Sequence, residues 1–141
     1  MPTTAPSLTD ELRAAVMMAA RRIRAERGSA DLSDPQYAVL VHLEKRGTLT
    51  PGQLADIEHI QPPSMTRTVN GLVEQGLVAK AAHPTDGRVV VVSITEAGRT
   101  EVAETRARRS QWLAGQLEAM TSDERDRLAH AVELLKRISQ A

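Results

Sequence analysis

Leu8, Leu12, Val16, Ala19 and Ile23 recur at three- and four-residue spacing, which predicts an amphipathic helix from Leu8 to about Arg27, stopped by Gly28 and Ser29. After a loop, Ser33 precedes Gln36 by three residues with Pro35 between them, the pattern of a capping box. It opens a second helix through Tyr37, Leu40, Val41 and Leu43 to Arg46, ended by Gly47 and expected to be largely buried. Thr50, Pro51 and Gln53 repeat that signal and open a short helix through Leu54, Ala55 and Ile57 to about Glu58. A tight turn follows. Proline disfavours helical geometry in the residue before it, so the next helix is expected to start at Pro63 and run to Gln75, with Gly76 as its cap. At ~100° per residue, its Met65, Val69, Leu72 and Val73 fall within about a third of the circumference and are expected to face the core.

The period then changes. Leu77 to Ala81 and Val89 to Ile94 read as strands flanking His83 to Arg88, where the Asp86-Gly87 pair predicts a turn with positive φ. Thr95 caps a long helix through Val102, Trp112, Leu113 and Leu117, and Thr121 with Glu124 boxes a last one carrying Leu128, Val132, Leu135 and Ile138. Two short helices joined by a tight turn and followed by a hairpin make a winged helix-turn-helix. The fold class is therefore mainly α with a small β-hairpin wing (α+β). The expected division is residues 1–32 as an N-terminal dimerisation helix, 33–95 as the winged helix-turn-helix, and 96–141 as C-terminal dimerisation helices. The apolar stripes of the first, fifth and sixth helices exceed what one small chain covers, which predicts a two-fold homodimer.

Composition narrows the function. The 141 residues contain no Cys and no Phe, with one Trp and one Tyr, so disulfides, thiolate metal sites and aromatic platforms for single-stranded nucleic acid are excluded. There is no run near the ~18 apolar residues of a membrane span and no leader-like N-terminus, so a cytoplasmic protein without membrane contact is expected. Neither a Gly-rich phosphate loop nor a nucleophile or metalloprotease motif is present, and no enzyme and no cofactor are expected.

Net charge is zero. Duplex DNA binding therefore depends on where charge falls. On the helix after the tight turn, Pro63, Ser64, Arg67, Asn70 and Gly71 lie opposite the apolar side, flanked by Thr66 and Thr68. Such a face is either an ordinary solvated one or one suited to base edges in the major groove, with Arg67 pairing to guanine, Asn70 to adenine, and Ser64 and Thr66 to base or phosphate. Arg88, two residues past Asp86 at the hairpin tip, is either a surface ion pair or a minor-groove probe held in orientation by the carboxylate. From Gln61 to Thr95, Arg67, Lys80 and Arg88 outnumber Glu74 and Asp86 by one, so modest affinity per protomer and a need for the dimer follow. A winged-helix protein–protein module without sequence-specific DNA binding is the alternative that neutral charge leaves open.

The strings Pro63-Ser64-Met65-Thr66-Arg67-Thr68-Val69, Gln75-Gly76-Leu77-Val78, Asp86-Gly87-Arg88 and Ser93-Ile94-Thr95-Glu96-Ala97-Gly98 together resemble the multiple-antibiotic-resistance regulator (MarR) family, in matching order over nearly the whole chain. The resemblance implies a homodimeric repressor on pseudo-palindromic operators, released in many relatives by small amphipathic or aromatic anions held between the lobes. It carries DNA contact to Ser64, Thr66, Arg67, Asn70, Asp86 and Arg88. Gly71 departs from the pattern, where many relatives place a larger polar residue.

Other groups have plainer readings. His42, His59, His83 and His130 show no metal-ligand spacing, and Glu58-His59 reads as a capping pair at a helix end, so no metal site is expected. The arginines at 21, 22, 24, 27, 106, 108 and 109 form a solvated face or, in part, border a cleft that attracts an anionic effector. Trp112 belongs to the dimer interface or to that cleft.

Overall fold

The computed structural model describes residues 4–141. Its elements are α1 (Leu8–Arg24), α2 (Asp34–Arg46), α3 (Pro51–Glu58), α4 (Pro62–Glu74), β1 (Val78–Ala82), β2 (Val90–Ile94), α5 (Glu96–Glu118) and α6 (Ser122–Ser139). This is the winged helix-turn-helix expected from the pattern, framed by helices at both ends.

Local chemistry sets most boundaries. Ser33, Thr50 and Thr121 each accept the backbone N–H three residues on, and the side chains of Gln36, Gln53 and Glu124 return the bond to the cap amide. Gly47 and Gly76 end α2 and α4 with φ of 82° and 73°, in the region where a Cβ is strained.

Several boundaries differ from the sequence expectation, among them the end of α4 at Glu74 with Gln75 as its cap, and the strands, which run Val78–Ala82 and Val90–Ile94 instead of Leu77–Ala81 and Val89–Ile94. The first helix ends at Arg24, short of Arg27, and α5 satisfies the carbonyls at and beyond its end: Arg109 donates to Glu26 O (3.1 Å) and Arg24 O (3.4 Å), and Arg108 to Arg27 O (3.0 Å). The fourth helix begins at Pro62, not Pro63. Both prolines occupy the first turn, where an amide would have no intrahelical partner, and Gln61 O accepts from Ser64 N and Met65 N at 3.0 and 3.1 Å. The hairpin is joined by residues 83–89, closed by His83 N to Val89 O (2.8 Å) and Val89 N to Asp86 O (3.0 Å), and a loop this long leaves Gly87 outside the positive-φ region expected of it.

β1 and β2 pair antiparallel, with Val78 opposite Ile94 and Ala82 opposite Val90, and Leu49 adds an isolated bridge to Val92. The core lies between this sheet and α2–α4. Leu40, Leu43, Leu54, Met65, Leu72 and Val92 are among its fully buried large side chains, each worth roughly 1.5–3 kcal/mol of transfer free energy. Val73 is not among them. It stands at the edge of the stripe, 37% exposed, because the hairpin and α2 cover only the middle of that face.

Outside the core the picture reverses. Neither α1 nor α6 contributes a buried residue, while Leu8, Val16, Val132, Leu134 and Ile138 are exposed on them. Only the first half of α5 is rooted, through buried Gly98, Glu101, Val102 and Thr105.

Candidate nucleic-acid interface

α4 presents the polar face expected of it, already ordered by its own bonds. Pro63, Thr66, Arg67 and Asn70 are exposed and Ser64 is half-buried. Arg67 Nη2 donates to Ser64 Oγ at 3.3 Å, which tethers the guanidinium over the N-terminal half of the helix. The hydroxyls of Thr66 and Thr68 donate back to Pro62 O and Ser64 O, both at 3.0 Å, so their lone pairs are what they offer outward. Asn70 is held from outside the helix: Lys80 Nζ, on β1, donates to its Oδ1.

Gly71 does not share this face. A Cβ there would come within 2.9 Å of Gln36 Nε2, so the position looks toward α2, and a larger residue would have to displace the end of that side chain.

On the wing, one oxygen of Asp86 accepts both the backbone N–H of Arg88 (3.2 Å) and its Nε (3.3 Å). The pairing expected from spacing is present. Arg88 is nonetheless 93% exposed, so the bond orients the side chain without withdrawing its charge from solvent. At the wing base, His83 Nδ1 accepts from Thr85 N at 3.2 Å, which ties the loop to the end of β1.

A second feature lies on the other side of α2. A cleft of about 560 Å³ opens between the α1–α5 side and α2–α4, lined among others by Arg24, Tyr37, Val41, His42, Met65 and Arg109. Arg109 lies over the Tyr37 ring, 4.4 Å from its centroid, and Arg24 pairs with Asp34 at 3.4 Å. Of the seven arginines noted in the sequence, these two border the cleft. Four of the others are engaged elsewhere: Arg22 over Trp112 at 4.1 Å, Arg27 with Asp31, Arg106 with Glu44 and Arg108 with Glu104.

Glu58 does not form a pair with the adjacent His59. Its carboxylate meets His42 Nε2 from α2, and His59 instead supplies the left-handed cap of α3 at φ 54°. Sequence proximity misled because the chain turns at His59 while the side chain of Glu58 reaches across to His42 on α2. Among the described residues no group of three or more His, Cys, Asp or Glu could hold a metal ion, and no described helix is long and apolar enough to cross a membrane.

Lys80 and Tyr37 are the functional candidates that the pattern did not single out. Lys80 had one signal, being a lysine in the inward phase of a strand, two residues from buried Val78. Tyr37 had none beyond being the single tyrosine.

Comparison with known proteins places this geometry. The MarR family model matches residues 30–89. An HTH-type transcriptional regulator of Mycobacterium tuberculosis is 41% identical over 128 residues, covering 91% of this chain and 90% of that protein. The HTH-type transcriptional repressor MdtR of Bacillus subtilis is 28% identical, covering 74% of this chain and 68% of its own. Among solved structures, a mutant of MarR from E. coli superposes with a TM-score of 0.79 at 23% identity, covering 96% and 98% of the two chains, which is a likeness of fold. These relatives are transcriptional regulators rather than enzymes.

Proposed function

The chain belongs to the MarR family of transcriptional regulators, and from that premise we propose that it binds a pseudo-palindromic DNA operator as a homodimer and represses transcription until a small anion releases it. The observation that carries the reading is the paired exposure of an internally ordered polar helix face and an oriented wing arginine. α4 enters the major groove, with Pro63 and Ser64 at its leading end, Thr66 and Arg67 on base edges or phosphate, and Asn70 one turn further along. Asp86 aims Arg88 at the adjacent minor groove.

The division into a reading lobe (33–95) and dimerisation segments (1–32 and 96–141) fits the burial pattern. The apolar side chains left open on α1 and α6 supply a self-complementary patch, which a second copy would cover. Two α4 helices would then stand about 34–36 Å apart, one turn of duplex.

Release by a ligand is supported by the cleft. Arg109 over Tyr37 sets a guanidinium beside an aromatic wall, while Arg24 is paired with Asp34 and Glu58 also faces the cleft, which lies between the parts whose relative angle sets the spacing of the two α4 helices. A small aromatic carboxylate matches that lining, and it acts only to the extent that it binds one arrangement better than the other.

Fluorescence anisotropy tests the reading, using the duplex beside the protein's own gene and a scrambled duplex at two salt concentrations. Preferential binding that weakens with salt supports it. Equal or absent binding to both, followed by no enrichment from a random duplex library, would leave the helix face and wing as a protein-binding module. Adding a panel of aromatic carboxylates to the preformed complex then tests release.

A further inference from the structure

Resting on the DNA-binding reading above, we propose that Lys80 and Asn70 act as one composite reader of guanine, so that Asn70 does not show the adenine preference of a free asparagine. The register of the hairpin brings them together. Lys80 lies opposite Val92 and two residues from Val78, both buried, so the pleat directs its side chain to the face that packs on α4. The stem follows that apolar face and the ammonium emerges beside α4, where it donates to Asn70 Oδ1. Among the described residues neither side chain has another side-chain partner.

An ammonium carries three donors and no acceptor, which fixes the amide without ambiguity: Oδ1 toward Lys80, Nδ2 away from it. An asparagine reading adenine needs Oδ1 to accept from the N6 amino group while Nδ2 donates to N7. Here that oxygen already faces a positive charge, and an incoming amino group would meet like polarity. With one Oδ1 lone pair taken and the ammonium standing beside the other, what the pair presents outward is chiefly donors, the remaining ammonium hydrogens beside the amide NH2. Guanine is the base with two adjacent major-groove acceptors, N7 and O6; thymine offers one and cytosine a donor. Lys80 is thus a specificity-determining residue on the wing strand, acting partly through Asn70 and partly by direct donation.

The test is selection from a random duplex library by the full-length wild type, Lys80→Met, Lys80→Arg and Asn70→Ala, each checked for unchanged thermal unfolding, with Lys80→Gln in reserve should the Met variant fail to fold. In each half-site the wild type is expected to favour guanine over adenine at one position, on the order of ten- to a hundredfold, as one good bidentate contact provides. Asn70→Ala should erode that preference, Lys80→Met should turn it toward adenine, and Lys80→Arg should keep guanine. The proposal is overturned if the position eroded by Asn70→Ala favours adenine in the wild type. Uniform weakening by Lys80→Met at unchanged preference would overturn it too, leaving Lys80 a phosphate contact. A wild type that enriches no sequence fails the DNA-binding reading itself, a result distinct from either.

Discussion

Gly28 and Glu101 lie so close that a Cβ on the glycine would come within 2.3 Å of the carboxylate Oε1. Glu101 is 94% buried by its 6% exposure, and the same oxygen accepts the N–H of Ala30 at 3.2 Å. The glycine expected to stop α1 therefore serves the close approach of the α1–α2 link to α5. Gly28→Ala should destabilise the fold by about 1–3 kcal/mol, since the buried carboxylate cannot swing aside without abandoning its bond to the part-buried Ala30 amide. Denaturant unfolding checks this, and a loss within ~0.5 kcal/mol would show that the link yields easily.

Arg88 and Arg67 should fail in different ways. Arg88→Ala is expected to weaken binding to all duplexes roughly alike and to lower the salt slope by about one, whereas Arg67→Ala should cost about 1–3 kcal/mol and relax preference at one base pair. Titrations over a salt series with single-substitution operators separate the two, and the opposite pattern would exchange their roles.

The uncovered faces of α1 and α6 predict the oligomer. Leu12, Val16, Val132 and Leu135 border one apolar groove, and a charge within it would be buried unpaired in a dimer. Leu135→Glu should raise the dimer dissociation constant at least thirtyfold, from ~2 kcal/mol or more, and weaken operator binding with it. Light scattering across a dilution series reads the first effect, and a variant that stays dimeric at the wild-type concentration range would place the interface elsewhere.

The cap of α6 carries a pH signature. The backbone N–H of Thr121, and after it the hydroxyl, hold the Glu124 carboxyl below the usual glutamate range. A carboxylate whose folded pKa is lowered contributes stability that is present above its ordinary value and lost as pH falls through the folded one. NMR titration should find Glu124 protonating at lower pH than a free glutamate. Thr121→Ala should move it partway back, because the amide bond survives and the hydroxyl is gone.

Contacts within a few residues were legible in the sequence. The boxes at Ser33–Gln36, Thr50–Gln53 and Thr121–Glu124 and the pair Asp86–Arg88 depend only on local backbone, which the residue types dictate. The polar identity of the α4 face followed from helical period alone. What period cannot supply is the neighbour across a gap: it puts Gly71 and Val73 at an angle on the wheel, but only the placement of α2 and the hairpin decides that one meets Gln36 and the other meets solvent. His42 with Glu58, Arg109 with Tyr37 and Lys80 with Asn70 belong to the same class, joining elements whose crossing angles are set by the whole core.

α5 is a single 23-residue helix anchored at one end, through Gly98, Glu101, Val102 and Thr105, and reaching past Trp112 at the other. At 1.5 Å per residue it is a rod of roughly 35 Å, so a pivot of ~5° at its root carries the far tip about 3 Å. Mechanically it is a long arm on a short fulcrum. Arg108 and Arg109, which grip the end of α1, sit near its middle, so a displacement introduced beside them is roughly doubled at the far tip.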